Sequence, residues 1–218
     1  MEFLLGIDEA GKGPVIGPLI IAGVLISKEN SGKLRELGVK DSKDLSPGKR
    51  NELFSKIKEL SEDFIILETS SKQLNEEMEL ENLNTIEIKK MAQIINSFES
   101  KKPEIFIDAI EANTLKFKEK ILSKLKNKEV KIVAENRADQ KYPVVSAASI
   151  LAKVTRDSKV KKLHEKYGFF GSGYPADERT IKFLEELDEK SYNEIVRLKW
   201  STSKRILEKK KQKGLGEF

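Results

Sequence analysis

The sequence predicts an α/β fold, in which a mixed five-stranded sheet is flanked by helices and followed by a C-terminal helical region. Near the N-terminus, two apolar runs are joined by a short turn of glycine and proline, which is typical of a β-hairpin. Helical and strand patterns then alternate along the middle of the chain, and the last part is mostly helical in pattern.

The first two strands are predicted on either side of residues 6–14. The apolar run 3–5 precedes this stretch, and the longer run 15–26 follows it. Asp8 and Glu9 therefore stand at the end of the first strand, beside the turn. Because successive side chains of a strand point to opposite faces, we expect the strand to end or bulge here if both acids serve one site.

The remaining elements are predicted from caps and periodicity. Ser46 and Pro47 are typical of a helix N-terminus, and the apolar residues of 80–98 recur with a helical period. The predicted helices are residues 31–37, 47–60, 80–98, 114–125 and 146–167, one that begins at Asp177 or Thr180, and 192–211. The other predicted strands are residues 63–69, 105–108 and 130–134.

The stretch 6–14 allows two other interpretations. An Asp-Glu pair beside a glycine-proline turn is also typical of a solvated turn, and this interpretation stays open. The spacing of Gly6, Gly11 and Lys12 is close to that of a phosphate-binding P-loop. However, Gly13 stands where that loop needs Ser or Thr, and the residues that follow predict a strand instead of a helix, so the P-loop is rejected.

The composition is that of a soluble globular protein, with 38% hydrophobic and 35% charged residues in a chain of 218. No apolar run is long enough to span a bilayer, and the N-terminus lacks the features of a signal peptide, so we expect a cytoplasmic protein without a membrane segment. The absence of cysteine excludes disulfides, thiolate metal sites and cysteine nucleophiles. The single histidine, His164, argues against a histidine triad or a zinc site.

The net charge of +5 is concentrated at the C-terminus. Residues 199–218 carry seven basic and two acidic side chains. A basic tail on a neutral body predicts a polyanionic partner, although a solvated helix face would have the same composition.

Acidic residues recur where strands are predicted to end. Asp8 and Asp108 end two strands, Glu9 follows Asp8, and Asp139 lies in the polar loop after the last strand. Functional sites in open α/β sheets lie at such strand ends, and clustered carboxylates repel one another unless cations compensate them. We therefore expect Mg²⁺ or Mn²⁺, which are hard ions that prefer oxygen ligands.

Five blocks of the sequence resemble the type 2 ribonucleases H, the ribonuclease HII family. In chain order, these blocks are residues 7–18, residues 41–46, Asp108, residues 138–157 and residues 171–175. Within this family, Trp200 in the run 198–202 most resembles the archaeal branch. The resemblance implies an RNase H-like fold.

The resemblance also implies an activity. The protein would be an endonuclease that hydrolyses the RNA strand of RNA–DNA hybrids and incises duplex DNA 5′ to single ribonucleotides, leaving 5′-phosphate and 3′-hydroxyl ends. Asp8, Glu9, Asp108 and Asp139 would be catalytic and would bind two divalent ions, one to activate the attacking water and one to stabilise the leaving 3′ oxygen. The implied roles are ribonucleotide removal and removal of primer RNA.

Further residues are implied in substrate binding. They are Gly11, Lys12, Gly13, Asp41, Ser42, Lys43, Ser146 and Tyr174. The two glycines would let the backbone approach the ribose 2′-OH, and Tyr174 would stack on the next deoxyribose. Alternatively, Lys43 is a surface lysine, Tyr174 packs in its loop and Ser146 caps a helix. Lys12 stands where relatives often carry Arg, and Asn136 where archaeal relatives often carry His.

The last seven residues resemble the terminal motif with which replication proteins dock on the sliding clamp, PCNA. Gln212, Leu215 and Phe218 have the spacing of that motif, although a frayed tail is the alternative. The predicted organisation is a catalytic domain (1–180), a helical substrate-binding region (181–211) and a clamp-binding-like tail (212–218), in a monomer.

Two other function classes remain open. A related nuclease of the same superfold, such as a resolvase or an integrase, would also gather carboxylates around a metal ion, but it would cut pure DNA. A binder of RNA–DNA hybrids without enzymatic activity would keep the basic tail and would gain nothing from metal.

Overall fold

The computed structural model describes residues 1–39 and 45–215, with side chains described up to Gln212. The strands are β1 (Phe3–Ala10), β2 (Leu19–Ser27), β3 (Asp63–Thr69), β4 (Glu104–Asp108) and β5 (Ile132–Glu135). The α-helices within these residues are α1 (Ser31–Glu36), α2 (Pro47–Leu60), α3 (Ser71–Glu77), α4 (Leu83–Ser97), α5 (Thr114–Lys124), α6 (Pro143–Tyr167), α7 (Glu178–Glu186), α8 (Glu189–Ile195) and α9 (Ser201–Leu215). None of the helices in the described ranges combines the length and the apolar character needed to cross a membrane.

The strands form one mixed sheet in the order β3-β2-β1-β4-β5. β1 pairs antiparallel with β2, from Phe3 opposite Ser27 to Ala10 opposite Ile20. β1 also pairs parallel with β4, which in turn pairs parallel with β5. The predicted mixed five-stranded sheet is confirmed, and the carboxyl ends of β1, β4 and β5 lie at the same edge.

The connection between β1 and β2 is longer than the sequence predicted. The apolar run from Val15 was expected to be strand throughout, but β2 begins only at Leu19. Pro14 and Pro18 have no amide hydrogen to give to a sheet, and Gly17 has a φ of +97°. The segment is therefore a turn that precedes the strand.

The helices lie close to their predicted positions, with two differences. Helix α3 was not predicted, although a capping box formed by Ser70 and Gln73 marks its start. The helical pattern predicted over 192–211 is divided in two, because α8 ends at Ile195 and α9 begins at Ser201.

The chain packs as two compact units. Unit 1 consists of residues 1–10, 20–68 and 82–155, and unit 2 consists of residues 11–19, 69–81 and 156–218. By packing, residues 156–180 thus belong to unit 2. The predicted domains, with boundaries at residues 180 and 211, were divided by function and stay a prediction.

Unit 1 buries both faces of the sheet. On one face, alternate residues of β2 pack in a core with α2 and the first half of α6. On the other face lie Leu5 and Ile7 of β1, which are fully buried. Here α4 comes so close to β2 that a Cβ atom on Gly23 would lie 2.4 Å from the Ile94 side chain.

Unit 2 has its own apolar core. Its buried residues are Val15, Ile16, Val160, Phe170, Leu184, Tyr192, Ile195, Val196 and Ile206. The amide of Val15 donates to the carbonyl of Gly173 (2.8 Å), and the amide of Arg197 donates to the carbonyl of Val15 (2.9 Å). The early segment 11–19 is therefore held by residues from the last third of the chain.

Candidate active site

Two neighbouring parallel strands of unit 1 each bring an aspartate to the same edge of the sheet. Ile7 of β1 lies opposite Ile107 of β4, and the next residue on each strand is an acid, Asp8 and Asp108. This arrangement follows from the parallel register, and the sequence predicted it.

Glu9 joins these two aspartates close to the end of β1, which extends one residue further, to Ala10. The strand continues in regular register with β2, so that Glu9 lies opposite Ile21. The parallel pairing of β1 with β4 stops at Ile7 and Ile107. Side-chain oxygens of Asp8, Glu9 and Asp108 nevertheless lie within 4.8 Å of one another.

Glu9 and Asp108 repel the ionised form of the Asp8 carboxyl. Asp8 is only 4% exposed. Burial first, and then the charges of Glu9 and Asp108, raise its pKa well above the usual range, while hydrogen bonds from the Ser149 hydroxyl and the Glu9 amide act in the opposite direction. Three close, partly buried oxygen donors fit a hard divalent cation, which would remove this repulsion.

The backbone around Asp108 is held by the loop that follows β5. The amide of Ala138 donates to Asp108 Oδ1 (2.8 Å), and Arg137 reaches this position with a φ of +58°. Asn136 Nδ2 donates to the carbonyls of Ala109 (2.8 Å) and Glu111 (3.0 Å). Asn136 therefore ties this loop to the end of β4.

Asp139 lies one residue beyond Ala138, in a short 3₁₀ helix, and is 6% exposed. In the described part of the chain, it does not belong to the group of three mutually close carboxylates. The Ser146 hydroxyl donates to the backbone carbonyl of Asp139. Ser146 is buried and supports the Asp139 backbone, and its predicted substrate contact stays a prediction.

Helix α6 starts directly against β1. A Cβ atom on Gly6 would lie 2.2 Å from the carbonyl oxygen of Val144, so only glycine allows this approach. Two turns into this helix is Ser149, the hydrogen-bond partner of Asp8. The sequence did not identify Ser149 as a site residue, because no local pattern connects it with Asp8.

The predicted substrate turn, Gly11, Lys12 and Gly13, begins unit 2. Gly11 has a φ of +90°, and a Cβ atom there would lie 2.5 Å from the carbonyl oxygen of Pro18. Glycine is required at this position for both reasons. Gly13 is exposed.

Tyr174 lies against this turn. Its ring would be 3.3 Å from a Cβ atom on Gly13, and it is 39% exposed. The buried Arg156 places its guanidinium 5.4 Å from the ring centroid and donates to the Ser172 carbonyl (3.3 Å). The structure therefore brings Tyr174 and the glycine turn together, as the interpretation of both as substrate contacts requires.

Arg197 also reaches this turn, a contact that was not predicted from the sequence. Its Nη1 donates to the Lys12 carbonyl (3.1 Å), and its Nε donates to the Gly17 carbonyl (2.9 Å). The signal was a single arginine in an otherwise apolar run, Ile195-Val196-Arg197-Leu198, where burial of the side chain predicts that it has bonding partners.

Only some of the remaining predicted residues are among those that the structure describes. Asp41, Ser42 and Lys43 lie outside the described residues. Gln212 lies in α9, which continues to Leu215. The Leu215 side chain and all of Phe218 lie outside the description.

Comparison with known proteins gives consistent matches. The sequence model of the family described as Ribonuclease HII matches residues 5–203. Ribonuclease HII of Pyrococcus furiosus is 46% identical over 219 residues, covering 98% of this chain and 96% of that relative.

Solved structures also match most of this chain. The ribonuclease H2 from Pyrococcus horikoshii OT3 superimposes with a TM-score of 0.86 at 43% identity, covering 96% of this chain and 99% of that one. The RNase HII in the PCNA:RNase HII complex from Archaeoglobus fulgidus gives a TM-score of 0.80 at 40% identity, covering 91% and 95%.

Proposed function

Because the chain belongs to the ribonuclease HII family, and so is a hydrolytic ribonuclease H that acts on nucleic acid, we propose that it incises duplex DNA 5′ to single embedded ribonucleotides and cuts the RNA strand of RNA–DNA hybrids. The products would carry 5′-phosphate and 3′-hydroxyl ends. The observation that carries this proposal is the group of three carboxylates within 4.8 Å at the ends of β1 and β4. The roles would be ribonucleotide excision and removal of primer RNA.

The proposed metal ligands are Asp8, Glu9, Asp108 and Asp139. The family depends on divalent metal ions, and the first three residues fit such an ion by their oxygen donors and by their mutual repulsion. Asp139 is included because the neighbouring Ala138 amide binds Asp108, which places its backbone beside the group. When bound, two ions, Mg²⁺ or Mn²⁺, would supply activation of the attacking water and stabilisation of the leaving 3′ oxygen.

Hydrogen bonds from within the chain orient Asp8 and Asp108 as metal ligands. The Ser149 hydroxyl and the Glu9 amide both donate to Asp8, and such donors favour the ionised carboxylate that a metal ligand must be. The Ala138 amide orients Asp108 in the same way. These three donor groups, the Ser149 hydroxyl and the two backbone amides, hold the ligands in place and do not take part in the bond changes.

Substrate recognition is assigned to the glycine turn and Tyr174. Gly13 and the Tyr174 ring lie together in unit 2, and neither Gly11 nor Gly13 adds a side chain of its own to the turn. We assign Gly11, Lys12 and Gly13 to the ribose 2′-OH, which distinguishes RNA from DNA, and to a nearby phosphate. Lys12 would act on that phosphate as a point charge.

Cleavage of defined duplexes tests the function. The substrates are a duplex with one ribonucleotide and the all-DNA duplex of the same sequence, each with Mg²⁺, with Mn²⁺ or with a chelator. We expect one cut, 5′ to the ribonucleotide, only when metal is present, and none with Asp8→Asn. Glu29→Gln, which changes an exposed acid, is the matched control and should keep full activity.

The other outcomes identify the other function classes. Cutting of the all-DNA duplex would indicate a DNA nuclease of the same superfold. Binding of the hybrid with no cutting under any metal condition would indicate a binding protein. Either result would overturn the proposal.

The C-terminal residues are proposed to bind partners. Residues 181–211 would contact substrate, and Gln212, Leu215 and Phe218 would dock on a sliding clamp, as the PCNA complex of the Archaeoglobus relative suggests. Titration of the cognate clamp against the full chain and against a chain ending at Lys211 tests the docking. Equal binding by both chains, or by neither, contradicts it.

A further inference from the structure

Arg197 is a completely buried arginine, with 0% of its surface exposed. Arginine is almost never fully buried unless it is paired, because removing its charge from water is costly without hydrogen bonds. The contacts of this side chain therefore indicate what it does. Its hydrogen bonds to Lys12 and Gly17 and its contact with Trp200 lie within unit 2.

The guanidinium joins the two ends of the segment that follows β1. Nη1 donates to the carbonyl of Lys12 (3.1 Å), and Nε donates to the carbonyl of Gly17 (2.9 Å). The group also lies over the Trp200 ring, 4.9 Å from its centroid. The guanidinium thus donates hydrogen bonds from its edge and places its face over an aromatic ring. A lysine ammonium cannot provide both interactions.

The hydrogen bond from Arg197 to the Lys12 carbonyl also sets the direction of the Gly13 N–H. The described chain contains no cis peptide bonds, so the Lys12–Gly13 peptide is trans and planar. In such a peptide the N–H points away from the C=O. With the Lys12 carbonyl turned inward to the buried Arg197, the Gly13 N–H points to the opposite side, at a residue that is exposed.

We infer that Arg197 is a positioning residue for ribonucleotide selectivity, which aims the Gly13 N–H at the 2′-OH from beneath the turn. This inference rests on the proposed function. Arg197 itself touches no substrate in this scheme. It acts by fixing the orientation of the Lys12–Gly13 peptide. Without this bond, that peptide would have to be ordered when substrate binds, at a cost in conformational entropy.

Binding preference tests the inference more sharply than activity does. Full-length protein carrying Asp108→Asn, to prevent cleavage, is titrated with the single-ribonucleotide duplex and with the matching all-DNA duplex. We expect Arg197→Lys to reduce the ratio of the two Kd values about tenfold, which is ~1.4 kcal/mol. The Kd for the all-DNA duplex should stay within about twofold, because phosphate contacts supply that affinity.

Two variants serve as controls. Arg205→Lys makes the same change at an exposed position of α9 and should leave the preference unchanged. Ser71→Ala removes another donor to the Gly17 carbonyl (3.1 Å) and leaves the bond to Lys12 in place. If Ser71→Ala lowers the preference as much as Arg197→Lys does, general stiffness of the segment is responsible and the inference is overturned.

The outcomes also separate this inference from the proposed function. A protein with Arg197 intact and no preference for the ribonucleotide refutes both. A preference that survives Arg197→Lys refutes the inference alone.

If Arg197→Lys fails to fold, amide hydrogen exchange with Arg197 in place decides the question. The ribonucleotide duplex should then protect the Gly13 amide more than the all-DNA duplex does. Equal protection by both duplexes overturns the inference.

Discussion

Gly6→Ala should displace the helix that orients the active-site acids. A Cβ atom at this position would lie 2.2 Å from the carbonyl oxygen of Val144, 2.3 Å from its carbonyl carbon and 2.7 Å from the amide nitrogen of Val145. All three atoms are backbone atoms at the start of α6. No side-chain rotation can relieve this contact, so the strand and the helix must separate.

The size of the effect follows from the geometry. Ordinary contact begins at 3.4 Å, so the 2.2 Å approach is 1.2 Å too short. Overpacking in a core costs about 1–3 kcal/mol, and a contact with backbone belongs at the upper end of that range. At about 2–4 °C per kcal/mol for a chain of this size, the Tm should fall by about 6–12 °C.

Activity should fall as well, because Ser149 on α6 donates to Asp8. A displacement of about 1 Å at a catalytic centre costs on the order of 100-fold in rate. The assays are thermal unfolding without metal and single-turnover cleavage of the ribonucleotide duplex. Gly48→Ala is the control: its Cβ atom would meet nothing within 4 Å, and an alanine in α2 should keep or slightly raise the Tm. Wild-type Tm and turnover in Gly6→Ala would refute the reasoning.

Three further outcomes are expected. Asp8→Asn should abolish cleavage yet raise the Tm of the metal-free protein, because it replaces a carboxyl whose ionised form is disfavoured by burial and by Glu9 and Asp108; an unchanged Tm would contradict the repulsion. In the metal-free wild type, the folded state binds the Asp8 proton more tightly than the unfolded chain does. The free energy of unfolding should therefore fall as pH rises from about 4 to the raised pKa of Asp8, and Asp8→Asn should flatten this part of a urea-denaturation series. Tyr174→Ala should slow cutting at single ribonucleotides more than cutting within long hybrids, and an equal loss on both substrates would mean that Tyr174 only packs.

The sequence predicted those features that depend on residues close together in the chain. The hairpin of β1 and β2, the acids at the strand ends and the cap of α7 at Asp177 all follow from local pattern. The expectation that Asp8 and Asp108 share a site followed from one additional rule, that functional sites in open α/β sheets lie at strand ends.

The features that were missed depend on contacts between distant parts of the chain. Val15 and Ile16 have strong strand character, but they pack in the core of unit 2 instead of continuing the sheet. The roles of Ser149 and Arg197 become visible only when their partners, Asp8 and Lys12, are in place. No periodicity encodes such a partner.

The division of unit 2 among three chain segments has a consequence for how the protein is made. Lys12 and Arg197 are 185 residues apart. At about 5–20 residues per second, the ribosome adds Arg197 about 10–40 s after Lys12. About halfway through that time β4 is finished, so the strands that carry Asp8 and Asp108 are complete while the glycine turn still lacks the donor that holds it. A nascent chain released early would therefore keep the acids that form the proposed metal site without the group proposed to position the contact for ribonucleotides.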